Sequence, residues 1–260
     1  MPLRQTLLLW AALLGPLPSL AQSPAATPAA WAAVSTPEVV YKNDGSPGAE
    51  LFKQLVPDAQ AYILAIGSQV VQTLYRHPSE VPAFGRMELR IERWQDEPKG
   101  IAWKAGSPAE GIVVNVNAFY LERYAAKGGN VAQEVRGILF HEMTHAYQHY
   151  EGMAGAALEG VADWVRFKAG YQPESLRKPG GHWTDGYKTT SFFFAWLETH
   201  RGHADFAPCF NATAKPSGAR QVSPWSWEAA VAACTGGAAL GTLWQDYQAW
   251  LAANAAGAQR

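Results

Sequence analysis

His141 and His145 bracket Glu142 in the run His141-Glu142-Met143-Thr144-His145. On a helix, a spacing of four puts both imidazoles on one face, one turn apart, within reach of a single ion. Zinc suits imidazole and carboxylate ligands in a tetrahedral shell with one open position. Glu142 would lie beside such an ion without ligating it, placed to take a proton from a water that the metal acidifies to a pKa of roughly 7. The expected cofactor is one Zn2+. The same five residues also fit two histidines on a polar helix face with no metal. Against that stands the apolar run Gly137-Ile138-Leu139-Phe140, which buries the helix and leaves its histidines in need of partners.

A catalytic zinc needs a third protein ligand. Glu159 and Asp163 follow a glycine-containing loop, and His149 and Glu151 also lie close in sequence. The metzincin pattern places a glycine three residues after the second His and a His or Asp three further on. It fails here, because Gln148 and Glu151 stand at those positions. Glu159 and Asp163, one turn apart on a second helix, resemble the arrangement of thermolysin-like gluzincins. That likeness implies Glu159 as the third ligand and Asp163 as the acceptor of a ligand histidine's other N–H, a role carboxylates commonly take beside metal-bound His. The reverse assignment, Asp163 as ligand and Glu159 outside, is the competing one.

Three segments together, Gly137 to His145 (GILFHEMTH), Leu158 to Tyr171 (LEGVADWVRFKAGY) and Trp183 to Phe193 (WTDGYKTTSFF), resemble the basic secretory protein family of plants and bacteria. The likeness runs over roughly residues 37 to 250. It implies a secreted zinc peptidase of gluzincin-like fold, acting on a peptide or protein, a glycoprotein included. One departure is charge: the plant members are named as basic, whereas the sequence pI here is near 6.7. Tyr187 follows Gly186 at an expected loop-to-helix junction, where a side chain can point into a cleft and donate to a developing oxyanion. His182 is its competitor for that role, and simple packing of Tyr187 among helices is the plainer alternative.

These residues need elements to hold them. Asn130 caps a helix that carries the His pair in its second half, with Glu134 in the first turn and Gly152 and Gly155 after its end. Leu158 to Lys168 reads as the next helix, and Tyr187 to Thr199 as a strongly aromatic third. Upstream, apolar residues recur at helical spacing from Ala49 to Arg76, divided at Pro57. Met87 to Trp94 alternates as a strand, and Ile101 to Trp103 is a short strand candidate. Gly111 to Asn117 is the expected strand beside the active site, with an ordinary inner strand as the alternative. The order predicts an α+β domain, a zincin-like unit over residues 37–255 with a small mixed sheet, an active-site helix and a mainly helical C-terminal part.

The 260-residue chain is 48% apolar and 12% aromatic, with a formal net charge of −1. That balance gives no electrostatic footprint for nucleic acid or an anionic membrane. Eleven tryptophans are a high count; Trp can line sugar or peptide subsites but more often fills core. Residues 1–21, with Arg4, an apolar run from Leu7 to Leu14 and Ser19-Leu20-Ala21, read as a signal peptide cut after Ala21. Residues 22–36 read as a flexible leader. Export to a secreted or periplasmic location permits a bridge between Cys209 and Cys234, the only two cysteines. Asn211-Ala212-Thr213 has the form of a glycosylation acceptor. The expected protein is a monomeric, exported zinc peptidase. A zinc hydrolase of glycosylated or non-peptide substrates and a non-catalytic binding protein with a retained metal are the rival readings.

Overall fold

The computed structural model describes residues 27–94, 100–150 and 152–257, the last three of these through their backbone alone. The expected signal peptide and Glu151 lie outside the described residues. The elements run α1 (Pro28–Ala32), β1 (Glu38–Asn43), α2 (Pro47–Leu55), α3 (Ala59–Leu74), β2 (Arg86–Glu92), β3 (Ala102–Ser107) and β4 (Gly111–Asn117). There follow α4 (Ala118–Ala126), α5 (Val131–Tyr147), α6 (Gly155–Lys168), α7 (Tyr187–His200), α8 (Phe206–Ala212), α9 (Trp227–Thr235) and α10 (Leu240–Gly257). The arrangement is α+β, with a small mixed sheet in the first half and helices after it. Within the stretch expected as a flexible leader, Thr27 caps one turn of helix and Trp31 packs against the core.

The sheet order is β1-β2-β4-β3, with β1, β2 and β4 parallel and β3 antiparallel to β4. Alternation in β2 buries Met87, Leu89 and Ile91 completely. The expectation that Gly111–Asn117 flanks the active site is corrected here. β4 lies between β2 and β3, so both its edges are paired and it has no free hydrogen bonds to offer. β3 takes the edge instead and packs against α5. The β-branched run that made β4 conspicuous in sequence is the mark of an inner strand buried on both sides.

Pro57 divides the first helical stretch as expected, and Asp58 caps α3 by accepting from the Ala61 N–H. Asn130 caps α5 through the Gln133 N–H. α5 is the central helix: from Gly137 to Tyr147 every residue is buried. α3, α6 and β3 pack around it. α6 in turn lies against α7, whose Phe192, Phe193, Phe194 and Trp196 are almost fully buried. Phe194 meets Phe206, Phe210 and Trp227, while Phe193 meets Trp244 and Tyr247. Truncating one such aromatic to Ala would cost about 3–5 kcal/mol. Most of the described tryptophans therefore fill core; among them Trp103, tilted against Trp94 at 4.5 Å, lines the cleft described below.

Cys209 in α8 and Cys234 in α9 are joined by a disulfide, with Cα atoms 5.8 Å apart. Asn211 is fully buried and its Oδ1 accepts the His149 N–H, so the glycosylation sequence is closed to a transferase in the folded protein. No helix among the described residues is long and apolar enough to cross a membrane.

Candidate metal centre

α5 and α6 run antiparallel, and the contacts between them form a ladder. Gln148 donates to the Leu158 carbonyl at 2.9 Å, His145 Nε2 lies 3.3 Å from Glu159 Oε2, and His141 Nδ1 lies 2.7 Å from Asp163 Oδ1. Falling numbers on one helix meet rising numbers on the other. The spacing of four that puts two histidines on one face of α5 thus meets the spacing of four that puts Glu159 and Asp163 on one face of α6.

Three atoms converge: His141 Nε2 is 3.0 Å from His145 Nε2 and 3.0 Å from Glu159 Oε2, and the His145–Glu159 edge is 3.3 Å. These residues form a cluster able to hold a metal ion. The outer nitrogens decide what kind of atoms converge. His141 Nδ1 faces the Asp163 carboxylate, which can only accept, so that nitrogen carries a proton. His145 Nδ1 faces Gln148 Oε1 at 2.7 Å, and the Gln148 amide is oriented by its donation to Leu158, so the second Nδ1 is protonated as well. In neutral imidazoles both Nε2 atoms then present lone pairs toward a carboxylate oxygen. Three acceptors 3.0–3.3 Å apart repel one another unless a proton or a metal cation sits among them. A tetrahedral zinc with bonds of about 2.0–2.1 Å calls for donor separations of about 3.3 Å, so the donor set fits that ion in type and in size.

Without an ion, a proton takes that place. Burial alone would lower the His141 pKa, but its hydrogen bonds with Asp163 and Glu159 outweigh burial and raise it to about 10. Burial likewise favours a neutral Glu159, yet the two histidines hold its carboxyl down at about 2. The site is built to keep positive charge between these groups.

Glu142 is buried beside the triangle without joining it. The backbone of Lys104 in β3 lies near its carboxylate, and Oε2 has no partner. Burial pushes its carboxyl above the ordinary range, with His141 and His145 pulling the other way. A buried carboxylate with an unpartnered oxygen is poised to accept a proton from something in the cleft.

Tyr187 begins α7 with a positive φ of 44°, and this turn lays its ring parallel to His141, at 5.9 Å and 8°. It is 54% exposed and lines the cleft. Burial first, then the carboxylates of Glu159, Asp163 and Glu142, raise its pKa. His182, its competitor, packs its ring against Trp183 at 3.7 Å, bonds Thr184 and is absent from the cleft lining. His149 is also elsewhere, edge-on to Tyr75 with its pKa lowered to about 4 by burial.

The centre opens into a cleft of about 670 Å³, walled by Gly100 to Lys104 on the β3 side, by α5 and α6, and by Tyr150 and Tyr187 at its rim. Sequence reasoning missed Gln148, whose spacing of three from His145 is the available signal. It also missed Tyr150, whose hydroxyl donates to the His145 carbonyl, and the pair Glu134 and Arg166 at the far end of the cleft.

A family model described as BSP, peptidase of plants and bacteria, matches residues 36–247. Neither curated proteins nor solved structures yield a match.

Proposed function

Because the chain belongs to the BSP family, the peptidases of plants and bacteria, we propose that it is an exported zinc peptidase with a zincin-like fold, in which His141, His145 and Glu159 hold one ion. The observation that carries the metal assignment is the convergence of two Nε2 lone pairs and a carboxylate, with Glu142 Oε2 unpartnered beside them.

The ion, when bound, supplies Lewis acidity that makes a water nucleophilic near neutral pH and polarises the scissile carbonyl. Glu142 accepts the proton of the attacking water and returns it to the departing amine nitrogen, as its raised pKa and unpartnered oxygen equip it to do. Asp163 and Gln148 fix the tautomer and ring orientation of the two histidines. Tyr187 donates a hydrogen bond to the carbonyl oxygen as negative charge grows on it. The free edge of β3 offers main-chain groups to an extended peptide. Residues 1–21 act as the export signal, the Cys209–Cys234 bridge suits the oxidising compartment beyond, and the mature protein works as a monomer without nucleic acid.

The decisive experiment combines metal analysis with a peptide library. The purified protein should contain about one zinc per chain. Glu142→Gln should keep that zinc and lose about 10²- to 10⁴-fold in cleavage rate. Absence of zinc, or full activity in Glu142→Gln, overturns the reading.

A further inference from the structure

The ladder between α5 and α6 continues past the metal centre. Glu134 lies seven residues before His141 and Arg166 seven after Glu159, so each stands two turns along the cleft-facing side of its helix. At the end of the cleft the two meet, with Arg166 Nη2 3.5 Å from Glu134 Oε2. Ile138, one turn before His141, gives the passage between them an apolar wall, and Ile101 faces it from the β3 side.

Both charged groups are held before anything binds. Arg166 Nε donates to the Tyr171 carbonyl at 3.2 Å. Its guanidinium lies against the backbone of α5 at Gly137, where a Cβ would come within 3.0 Å of Nε. Glu134 Oε1 accepts the Tyr120 hydroxyl at 2.9 Å. The pair is therefore a rigid donor beside a rigid acceptor, with no net charge. Their side chains are 24% and 17% exposed, enough to be touched from the cleft but shielded from bulk water.

We propose that this end of the cleft is a specificity subsite for an amide side chain, glutamine above all, whose carbonyl accepts from Arg166 while its NH2 donates to Glu134. The proposal rests on the peptidase reading above. An amide carries one acceptor and two donors, which is the complement of a guanidinium beside a carboxylate. A lysine or glutamate side chain would bring a like charge against one member of the pair in a shielded cleft. A methionine of similar shape would set an apolar side chain against the ion pair and make neither hydrogen bond. Length favours glutamine over asparagine. Two helical turns separate the ion pair from the metal centre, about 10 Å, and a glutamine side chain extends about 5 Å from its Cα.

The test uses the zinc-loaded full chain and peptides in which each position flanking a cleaved bond carries Gln, Met, Glu or Lys in turn. At one position Gln should exceed the other three about tenfold in kcat/KM. Glu134→Gln preserves shape and leaves Arg166 unopposed, so the preference should move to Glu. Arg166→Gln should move it to Lys. Calorimetric binding of the Gln and Met peptides to the Glu142→Gln protein reads the subsite without turnover, and Gln should bind about tenfold more tightly. Binding with that preference but no cleavage by the wild type would leave the subsite standing and remove the peptidase reading. Cleavage without a Gln preference, a preference unmoved in both variants, or equal binding of the two peptides would overturn the subsite.

Discussion

Asp163 Oδ1 lies 2.7 Å from His141 Nδ1, the nitrogen that faces away from the donor triangle, while Glu159 Oε2 lies 3.0 Å from Nε2 of the same ring. One imidazole is thus held between two carboxylates one helical turn apart, each at a different nitrogen. Gln148 does for His145 what Asp163 does for His141. Asp163→Asn should weaken zinc affinity about 10–100-fold while leaving the ligands in place. Gln148→Leu should do the same. Competition with a chromogenic chelator measures both, and affinities equal to wild type would show that the outer partners do not orient the rings.

Tyr187 stacks on His141 and lines the cleft. Removing the hydroxyl leaves the ring and its stacking intact. Tyr187→Phe should lower kcat by about 10- to 10²-fold, below the loss for a fully enclosed oxyanion donor because the residue is half exposed. KM and zinc content should stay near wild type. A change confined to KM would assign Tyr187 to substrate binding rather than to charge stabilisation.

Gly160 is where α6 touches α7. A Cβ there would fall 2.3 Å from Thr190 Cγ2, and Thr190 is fully buried. Gly→Ala inside a helix ordinarily stabilises by about 0.5–1 kcal/mol. Here the helices must separate, so Gly160→Ala should destabilise by about 1–3 kcal/mol. Glu159 and Asp163 flank the contact, so zinc affinity should fall with Tm. A rise in Tm by calorimetry would mean the helices are not in close contact.

Glu88 in β2 pairs with Lys42 of β1 and with Arg90 Nε at 2.7 Å, and these bonds hold its carboxyl down from 4.5 to about 2. A carboxyl depressed in the folded state stabilises above its unfolded value, and that contribution is lost as pH falls from 4.5 toward 2. Glu88→Gln should therefore lower Tm at pH 7, and the gap to wild type should close as the pH is brought down through that window. A gap independent of pH would assign the effect to packing instead.

Much of the site was legible because helical spacing is local. His141, Glu142 and His145 share a turn whatever the rest of the chain does, and Asn130 and Pro57 mark their helix boundaries by their own side chains. The strand beside the site was misread because edge position is not local. β4 has the stronger strand composition, but connectivity and pairing place β3 outside it. The one-turn helix at Pro28–Ala32 was missed for a similar reason: its composition is that of a leader, and only packing of Trp31 on the core sets it apart.

The sequence by itself determined which residue types could gather around an ion and the phase at which each helix presents them. It left open which of Glu159 and Asp163 reaches the inner nitrogens, and whether Tyr187 or His182 enters the cleft. Those were decided by the antiparallel register of α5 on α6 and by the positive φ that starts α7. The physical reason is the same in each case: periodicity fixes the face of a helix, while the partner of that face is chosen by packing between elements far apart in the chain.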